Sequence, residues 1–137
     1  MSISIRSLCV SAGLVAVMGS SGALAENIKL AFIDPLSGPF APVGQNLLRS
    51  FQVAVDLANR EKWAPGHTFE VTGFDNKASP QESLTVLKTV IDQGYRFIAQ
   101  GNGSGAAGAL IDAINKHNER NPGKEIVYLN YAAVDPD

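Results

Sequence analysis

Four short apolar runs alternate along the chain with three amphipathic stretches. Segment 28–34, IKLAFID, is almost continuously apolar, which is typical of a strand covered on both faces. Segments 67–75, 95–100 and 125–131 are the other predicted strands. Segment 67–75 alternates more between polar and apolar residues, which favours a place at the edge of the sheet.

Each amphipathic stretch predicts a helix. In segment 44–61 the apolar residues recur at spacings of three and four and form one face. Segment 79–82, SPQE, predicts the start of a second helix, because its serine can cap free amides, its proline suits the first turn and its glutamate completes a capping box. A third helix is predicted over 104–118. The side chains expected to face the core are Leu84, Leu87, Val90 and Ile91 in the second helix and Leu110, Ile111 and Ile114 in the third.

The order of elements is βαβαβαβ, and the connections between strands are too long for hairpins. This order predicts an α/β fold, a doubly wound parallel sheet with helices on both faces and right-handed crossovers. Strands 28–34 and 95–100 are expected at its centre. A sheet of this class normally continues beyond a fourth strand, so we expect the chain to form an incomplete part of a larger lobe.

The first 25 residues predict a secretory signal peptide. Arg6 gives a short positive start, segment 8–18 is an apolar core too short to cross a bilayer, and ALA at 23–25 is typical of a cleavage site. Cleavage would leave residues 26–137 as the mature chain. The single cysteine, Cys9, lies in the signal, so neither a disulfide nor a thiolate metal site is expected in the mature chain.

Charge and composition exclude several classes of function. The formal net charge is −2 and no run of basic residues exists, which argues against binding to nucleic acid. His67 and His117 are far apart in sequence and are predicted to lie on the surface, so no metal ligand set is expected. No catalytic nucleophile with partner residues is recognised, and no cofactor is predicted. Trp63 is expected to pack into the protein.

Ligands of open parallel sheets bind beyond the carboxyl ends of the strands, where the strand order reverses. Loops 35–44, 76–80, 101–105 and 132–137 lie at that edge, and the first and third should flank the crevice. Asp75 and Asn76 are predicted to be solvated turn residues.

Segment 103–108, GSGAAG, matches the G-x-G-x-x-G pattern of dinucleotide-binding loops. That fingerprint normally follows the first strand, and an acidic residue about 20 positions later holds the ribose. Here the loop follows the third strand, and the next strand ends in Asn130 and Tyr131, neither of which is acidic. The pattern therefore argues against a dinucleotide-binding site. A P-loop is excluded because no G-K-[ST] follows.

Two interpretations of this loop are compatible with the residues. Free amides at a helix N-terminus favour negative charge, and Ser104 could add a hydroxyl bond, so the small residues could admit a carboxylate. Alternatively, glycine and alanine only let the helix pack closely on the sheet, and Ser104 is an ordinary N-cap.

The strings IKLAFIDPLSGPFAPVGQ, FDNKASPQESLTVLKTVIDQG and GNGSG, preceded by a signal peptide, resemble the branched-chain amino-acid-type periplasmic binding proteins. These are type I solute receptors of ABC importers, and the resemblance covers the mature chain. It implies the incomplete first lobe of a two-lobed receptor. Such a receptor is periplasmic, is no enzyme, is monomeric at full length, and delivers an amino acid to a membrane permease.

The resemblance also implies roles for individual residues. Ser104 and its neighbours would bind the ligand α-carboxylate, and the Ala132 carbonyl would accept from the ammonium. Val134 stands where the family commonly has a hydroxyl residue, and Asp135 could compensate. The loop after the first strand would touch the ligand side chain. The predicted ligand-binding residues are Phe40, Val43, Asn102, Gly103, Ser104, Gly105, Ala132 and Val134.

Two other functions are compatible with parts of the sequence. A sensor domain of the same fold would bind the same ligand and report to a receptor instead of a permease. A Rossmann-type oxidoreductase would use the glycine-rich loop for a nucleotide.

Overall fold

A computed structural model describes residues 26–134, so the predicted signal peptide and Asp135 lie outside the described residues. Four strands alternate with three helices, as the hydrophobic pattern predicts. They are β1 (Glu26–Asp34), α1 (Ala41–Arg60), β2 (His67–Asp75), α2 (Pro80–Asp92), β3 (Phe97–Gln100), α3 (Ser104–Arg120) and β4 (Val127–Asn130).

The sheet is parallel throughout and has the strand order β2-β1-β3-β4. Strands β1 and β3 occupy the centre, and β2 lies at an edge, which confirms both predictions. Residues 31–34 of β1 are fully buried, as the continuous apolar run predicts for a strand covered on both faces. Because all strands run in the same direction, the four loops that follow them lie together at the carboxyl ends of the strands, here called the carboxyl edge of the sheet.

The core lies between the sheet and the helix pair α2 and α3. Ile98 of β3 and Ala31 and Ile33 of β1 face this pair. Helix α1 covers the opposite face, where the Phe51 ring lies 5.2 Å from the ring of Phe32. The buried residues on the α2–α3 side are Ala31, Ile33, Leu87, Val90, Tyr95, Ile98, Leu110, Ile114 and Ile126.

Three burial predictions are wrong. Leu84 is 41% exposed because it lines a groove of about 480 Å³ between α2 and α3. Ile111 is 39% exposed because Leu110 and Ile114, four residues apart, already fill the inward face of α3. Trp63 is 60% exposed in the turn after α1, where its indole N–H donates to Glu61.

Two further properties bear on function. Among residues 26–134, no helix combines the length and apolarity that crossing a bilayer requires. The same described range contains no group of three histidine, cysteine or acidic side chains arranged to hold a metal ion.

Candidate ligand-binding site at the carboxyl edge of the sheet

Loops from three strands enclose a small cavity at the carboxyl edge. The cavity has a volume of about 110 Å³ and is lined by Pro35, Phe40, Ala78, Asn102 and Gly103. Three of these residues, Phe40, Asn102 and Gly103, belong to the predicted ligand-binding set. The structure therefore brings the loops after β1 and β3 together, as expected for the two sides of a crevice.

Helix α3 begins at this cavity without a side-chain cap. Its N-cap residue is Gly103, whose φ of 95° lies in the left-handed region that favours glycine. Ser104 is the first helical residue, so its interpretation as an ordinary N-cap is wrong. The first backbone amides of the helix therefore have no capping side chain.

Three glycines at the start of α3, at positions 103, 105 and 108, are not needed for close packing. A Cβ atom added to Gly103 or Gly108 would meet nothing within 4 Å, and one on Gly105 would lie 3.6 Å from Pro80 Cγ, an ordinary contact. Only Ala106 and Ala107 of this segment are buried against the protein. The interpretation that small residues serve only helix packing is therefore wrong for these three glycines, of which Gly103 and Gly108 border open space.

The loop after β3 is hydrogen-bonded to Asp34, the last residue of β1. The Asp34 carboxylate is fully buried, and its Oδ1 accepts from the backbone N–H groups of Gly101 at 3.2 Å and Asn102 at 3.0 Å. Its Oδ2 accepts from Asn102 Nδ2 at 2.9 Å and from the Tyr131 hydroxyl. The backbone and side-chain amides of Asn102 are thus both engaged within the protein.

Tyr131 connects the end of β4 to the same carboxylate. Its ring stacks on Phe32 with centroids 5.8 Å apart and contacts Phe51 at 5.4 Å. A Cβ atom on Gly101 would lie only 2.4 Å from this ring, so glycine is required there. Burial, and then the hydrogen bond to Asp34, raise the pKa of Tyr131 far above its ordinary value, which keeps the hydroxyl a donor.

A second hydrogen-bonded chain lies beside this contact. The Tyr128 hydroxyl donates to Gln100 Oε1 at 2.6 Å, and Gln100 Nε2 donates to the Asn102 carbonyl at 2.8 Å. Gln100 is fully buried. Burial, with a smaller contribution from the negative charge of Asp34, raises the pKa of Tyr128 to about 12. The loop after β3 is therefore held from both adjacent strands.

The turn before α2 is ordered by its own side chains. Asp75 Oδ1 accepts from the amides of Leu36 and Lys77, each at 2.9 Å, and Asn76 Oδ1 accepts from the Ala78 amide at 3.0 Å. Asn76 is fully buried, so its prediction as a solvated residue is wrong. Lys77 and Ala78 both have a positive φ, 51° and 57°, which the hydrogen bonds maintain.

Asp75 has a lowered pKa despite its partial burial. Burial alone would raise the pKa, but hydrogen bonds from the Ser37 hydroxyl and from the amides of Leu36, Lys77 and Ser37 stabilise the carboxylate more strongly. The charged form of Asp75 therefore joins the loops after β1 and β2.

The remaining predicted site residues lie at the same edge of the sheet. Val43 is in the first turn of α1 and is exposed. Ala132 and Val134 follow β4, where the amides of Ala132 and Ala133 both donate to Asn130 Oδ1. Val134 is 86% exposed, and neither it nor Ala132 lines the cavity.

Sequence reasoning missed three residues at this edge. Ala78 lines the cavity because the turn at residues 77 and 78 is left-handed. Neither residue is a type that predicts a left-handed conformation. Asp34 and Tyr131 are 97 positions apart in sequence but are joined by a hydrogen bond. The available signal for Asp34 was its place, since an ionisable residue ending a buried apolar strand needs hydrogen-bond partners there.

Comparison with known proteins identifies the family. A family model described as periplasmic binding protein matches residues 27–136. The Leu/Ile/Val-binding protein homolog 4 of Brucella abortus is 32% identical over 124 residues, which cover 90% of this chain and 30% of that protein. The Leu/Ile/Val-binding protein of Escherichia coli is 27% identical over 96 residues, 70% of this chain and 26% of its own length. The chain thus spans less than a third of the length of these relatives.

Solved structures agree with this assignment. The closed form of a leucine-, isoleucine-, valine-, threonine- and alanine-binding protein from Brucella ovis matches with a TM-score of 0.70 and 34% identity, over 80% of this chain and 28% of that one. A branched-chain amino acid transporter substrate-binding protein from Streptococcus pneumoniae, in complex with isoleucine, shares the fold with a TM-score of 0.68 at 24% identity, over 80% of this chain and 30% of that one. The fold, the edge at which the loops meet and the family match agree, and the chain belongs to the periplasmic binding protein family.

Proposed function

We propose that residues 26–137 form the N-terminal part of the first lobe of a two-lobed extracytoplasmic receptor, after removal of a signal peptide at residues 1–25. The receptor captures an amino acid, of the branched-chain type or related to it, and delivers it to the permease of an ABC importer. The supporting relatives carry Leu/Ile/Val-binding names, and this chain corresponds to about 30% of their length.

The observation that carries the proposal is the uncapped start of α3 beside the cavity. Within residues 26–134 no side chain caps the first amides of the helix, and Gly103 borders open space. Such amides, together with the helix dipole, favour an anion, and a carboxylate is the small anion that an amino acid presents. Ser104 adds a hydroxyl at the first helical position.

The apolar side of the cavity suits an aliphatic group. Phe40 and Pro35 line it together with Gly103, and Phe40 is 58% exposed. An exposed aromatic ring at the mouth of a cavity is available to cover a ligand side chain. Val43, three residues after Phe40 and in the first turn of α1, is a second exposed apolar side chain near the start of this helix.

The second lobe is expected to complete the site. The cavity of about 110 Å³ is smaller than the roughly 300–1,000 Å³ of a ligand pocket, as expected for one wall of a cleft. Closure of the lobes would remove the ligand from water, a hinge motion without chemistry. The Ala132 carbonyl accepts a hydrogen bond from the ligand ammonium. Val134 stands in place of a hydroxyl residue and therefore supplies no hydrogen bond to the ligand from its side chain.

Calorimetric titration of the full-length receptor tests this function. Leucine, isoleucine, valine, threonine and alanine are titrated separately, with NAD as the control for a nucleotide site. We expect saturable binding of one molecule per receptor for at least one of the amino acids and no heat with NAD. Binding of NAD without binding of any amino acid would contradict the proposal.

A further inference from the structure

One buried side chain joins the loops that build the crevice. The Asp34 carboxylate accepts from Gly101 and Asn102 after β3 and from Tyr131 after β4, while its backbone carbonyl accepts from the Asn76 amide at 3.2 Å. Loops after all four strands therefore meet at the residue that ends β1.

The chemistry of this contact makes the loops depend on each other. Asp34 is fully buried and forms no ion pair within residues 26–134. A buried carboxylate without a cation is stable only when hydrogen bonds replace its water, and bonds to a charged acceptor belong to the stronger class. Four donors, from Gly101, Asn102 (two groups) and Tyr131, supply those bonds.

The same bonds determine which amides a ligand can use. The amides of Gly101 and Asn102 point to Asp34, whereas the helix begins at Ser104 with no capping side chain. The loop is thus divided into two parts. Residues 101 and 102 hold it to the sheet. The amides of residues 104–106 remain for an anion, because the Ala107 amide already donates to the Gly103 carbonyl at 3.0 Å.

We propose that Asp34 is a positioning residue of the ligand site, which fixes the direction of the first amides of α3 through its hydrogen bonds to Gly101, Asn102 and Tyr131. This inference rests on the proposed function, because it assigns the ligand carboxylate to those amides. Asp34 itself touches no ligand, since its carboxylate is enclosed by the loops it joins.

Two variants of the full-length receptor separate positioning from stability. Asp34→Asn keeps the size of the side chain but places an amide N–H group where Asn102 Nδ2 and the Tyr131 hydroxyl both donate. Tyr131→Phe removes one donor and keeps the ring on Phe32, so it remains informative should Asp34→Asn fail to fold. Leu87→Ala is the control. It lowers stability by removing contacts in the core between the sheet and helices α2 and α3, which cover the face of the sheet opposite to α1.

Affinity is measured by titration with leucine, and the melting temperature is recorded for each variant. We expect Asp34→Asn to weaken leucine binding about threefold to thirtyfold, the range for network residues that touch no ligand. Tyr131→Phe should show a smaller loss, and Leu87→Ala should lower the melting temperature without weakening binding. A folded Asp34→Asn or Tyr131→Phe receptor with unchanged affinity, or an equal loss in Leu87→Ala, would overturn the proposal.

Amide hydrogen exchange in the unliganded receptor gives a readout that needs no ligand. The amides of Gly101 and Asn102 should exchange faster in Asp34→Asn and Tyr131→Phe than in wild type, relative to the Leu87→Ala control. If the wild-type receptor binds no amino acid, the proposed function fails, and exchange still decides whether Asp34 holds this loop. Unchanged exchange at both amides would show that it does not.

Discussion

Helices α2 and α3 begin at the same edge of the sheet in opposite ways. At α2 the Ser79 hydroxyl accepts from the Glu82 amide at 3.3 Å, and Pro80 occupies the first turn. At α3 the N-cap is Gly103, and no side chain of the described part of the chain caps the helix. One helix start is therefore satisfied by its own sequence, and the other is left open.

The difference supports the proposal that α3 begins at a ligand site, whereas the start of α2 is structural. At α2 the hydrogen bond from the Glu82 amide to Ser79 stabilises the helix start within the protein. At α3 the N-cap position holds Gly103, which has a left-handed backbone conformation and no side chain to cap the helix. The residues before it are hydrogen-bonded to Asp34. Glycine at an N-cap position lowers stability by only about a few tenths of a kcal/mol relative to a capping side chain, so α3 begins without a side-chain cap at little cost.

The largest expected effect of a substitution on binding is at Ser104. Ser104→Ala in the full-length receptor removes a hydroxyl bond to the ligand carboxylate, which should cost about 1.5–3 kcal/mol of binding free energy. Because Ser104 is not the cap of α3, the free energy of unfolding should change little. Titration with leucine and thermal unfolding check the two parts. Wild-type affinity in this variant would place the carboxylate elsewhere.

The matched substitution at α2 should have the reverse effect. Ser79→Ala removes a side-chain cap and should lower the free energy of unfolding by about 1 kcal/mol. Leucine affinity should be unchanged, since Ser79 does not line the cavity. Denaturant unfolding and the same titration measure the pair. Equal effects of Ser79→Ala and Ser104→Ala on affinity would remove the distinction between the two helix starts.

A smaller effect of opposite sign is expected inside α3. Gly108→Ala places a methyl group in open space within the helix and should stabilise the protein by about 0.5–1 kcal/mol. A loss of stability, measured by denaturant unfolding, would mean that Gly108 is needed for close packing after all. Affinity for leucine serves as the control and should not change.

The smallest expected effect is the acid sensitivity of the turn before α2. The folded-state pKa of Asp75 is below its ordinary value of 3.8, so its stabilising contribution is fully present above about pH 4. As the pH falls from there through the folded-state pKa, that contribution is lost. Melting temperatures of wild type and Asp75→Asn should therefore converge in acid. A constant difference between them down to about pH 2 would contradict the prediction.

Sequence periodicity predicted most of the fold. Strand β2 has the predicted bounds, His67–Asp75, and α2 begins at Pro80 with Ser79 as its side-chain cap. The predicted capping box is only half formed, because the Ser79 amide donates to the Asn76 carbonyl and Glu82 accepts from Lys77 instead. Helix α1 begins three residues earlier than predicted, at Ala41, with a proline in its first turn. These features follow from local chemistry, which a single sequence contains.

The organisation of the site depends on contacts between distant segments, and those were not predictable. Nothing near Asp34 in sequence indicates that Tyr131 would reach it, or that Gly101 must lack a side chain to admit that ring. The resemblance predicted that the loop after β3 binds the ligand, and the structure shows how that loop is held. The assignment of individual ligand-binding residues remains a prediction.

A crystal structure of the full-length receptor with the ligand it retains from expression tests the central claim most directly. We predict a small solute whose carboxylate oxygens lie about 2.7–3.2 Å from the amides at the start of α3, including Ser104. A molecule bound on the opposite rim of the sheet, away from residues 102–106, would contradict it.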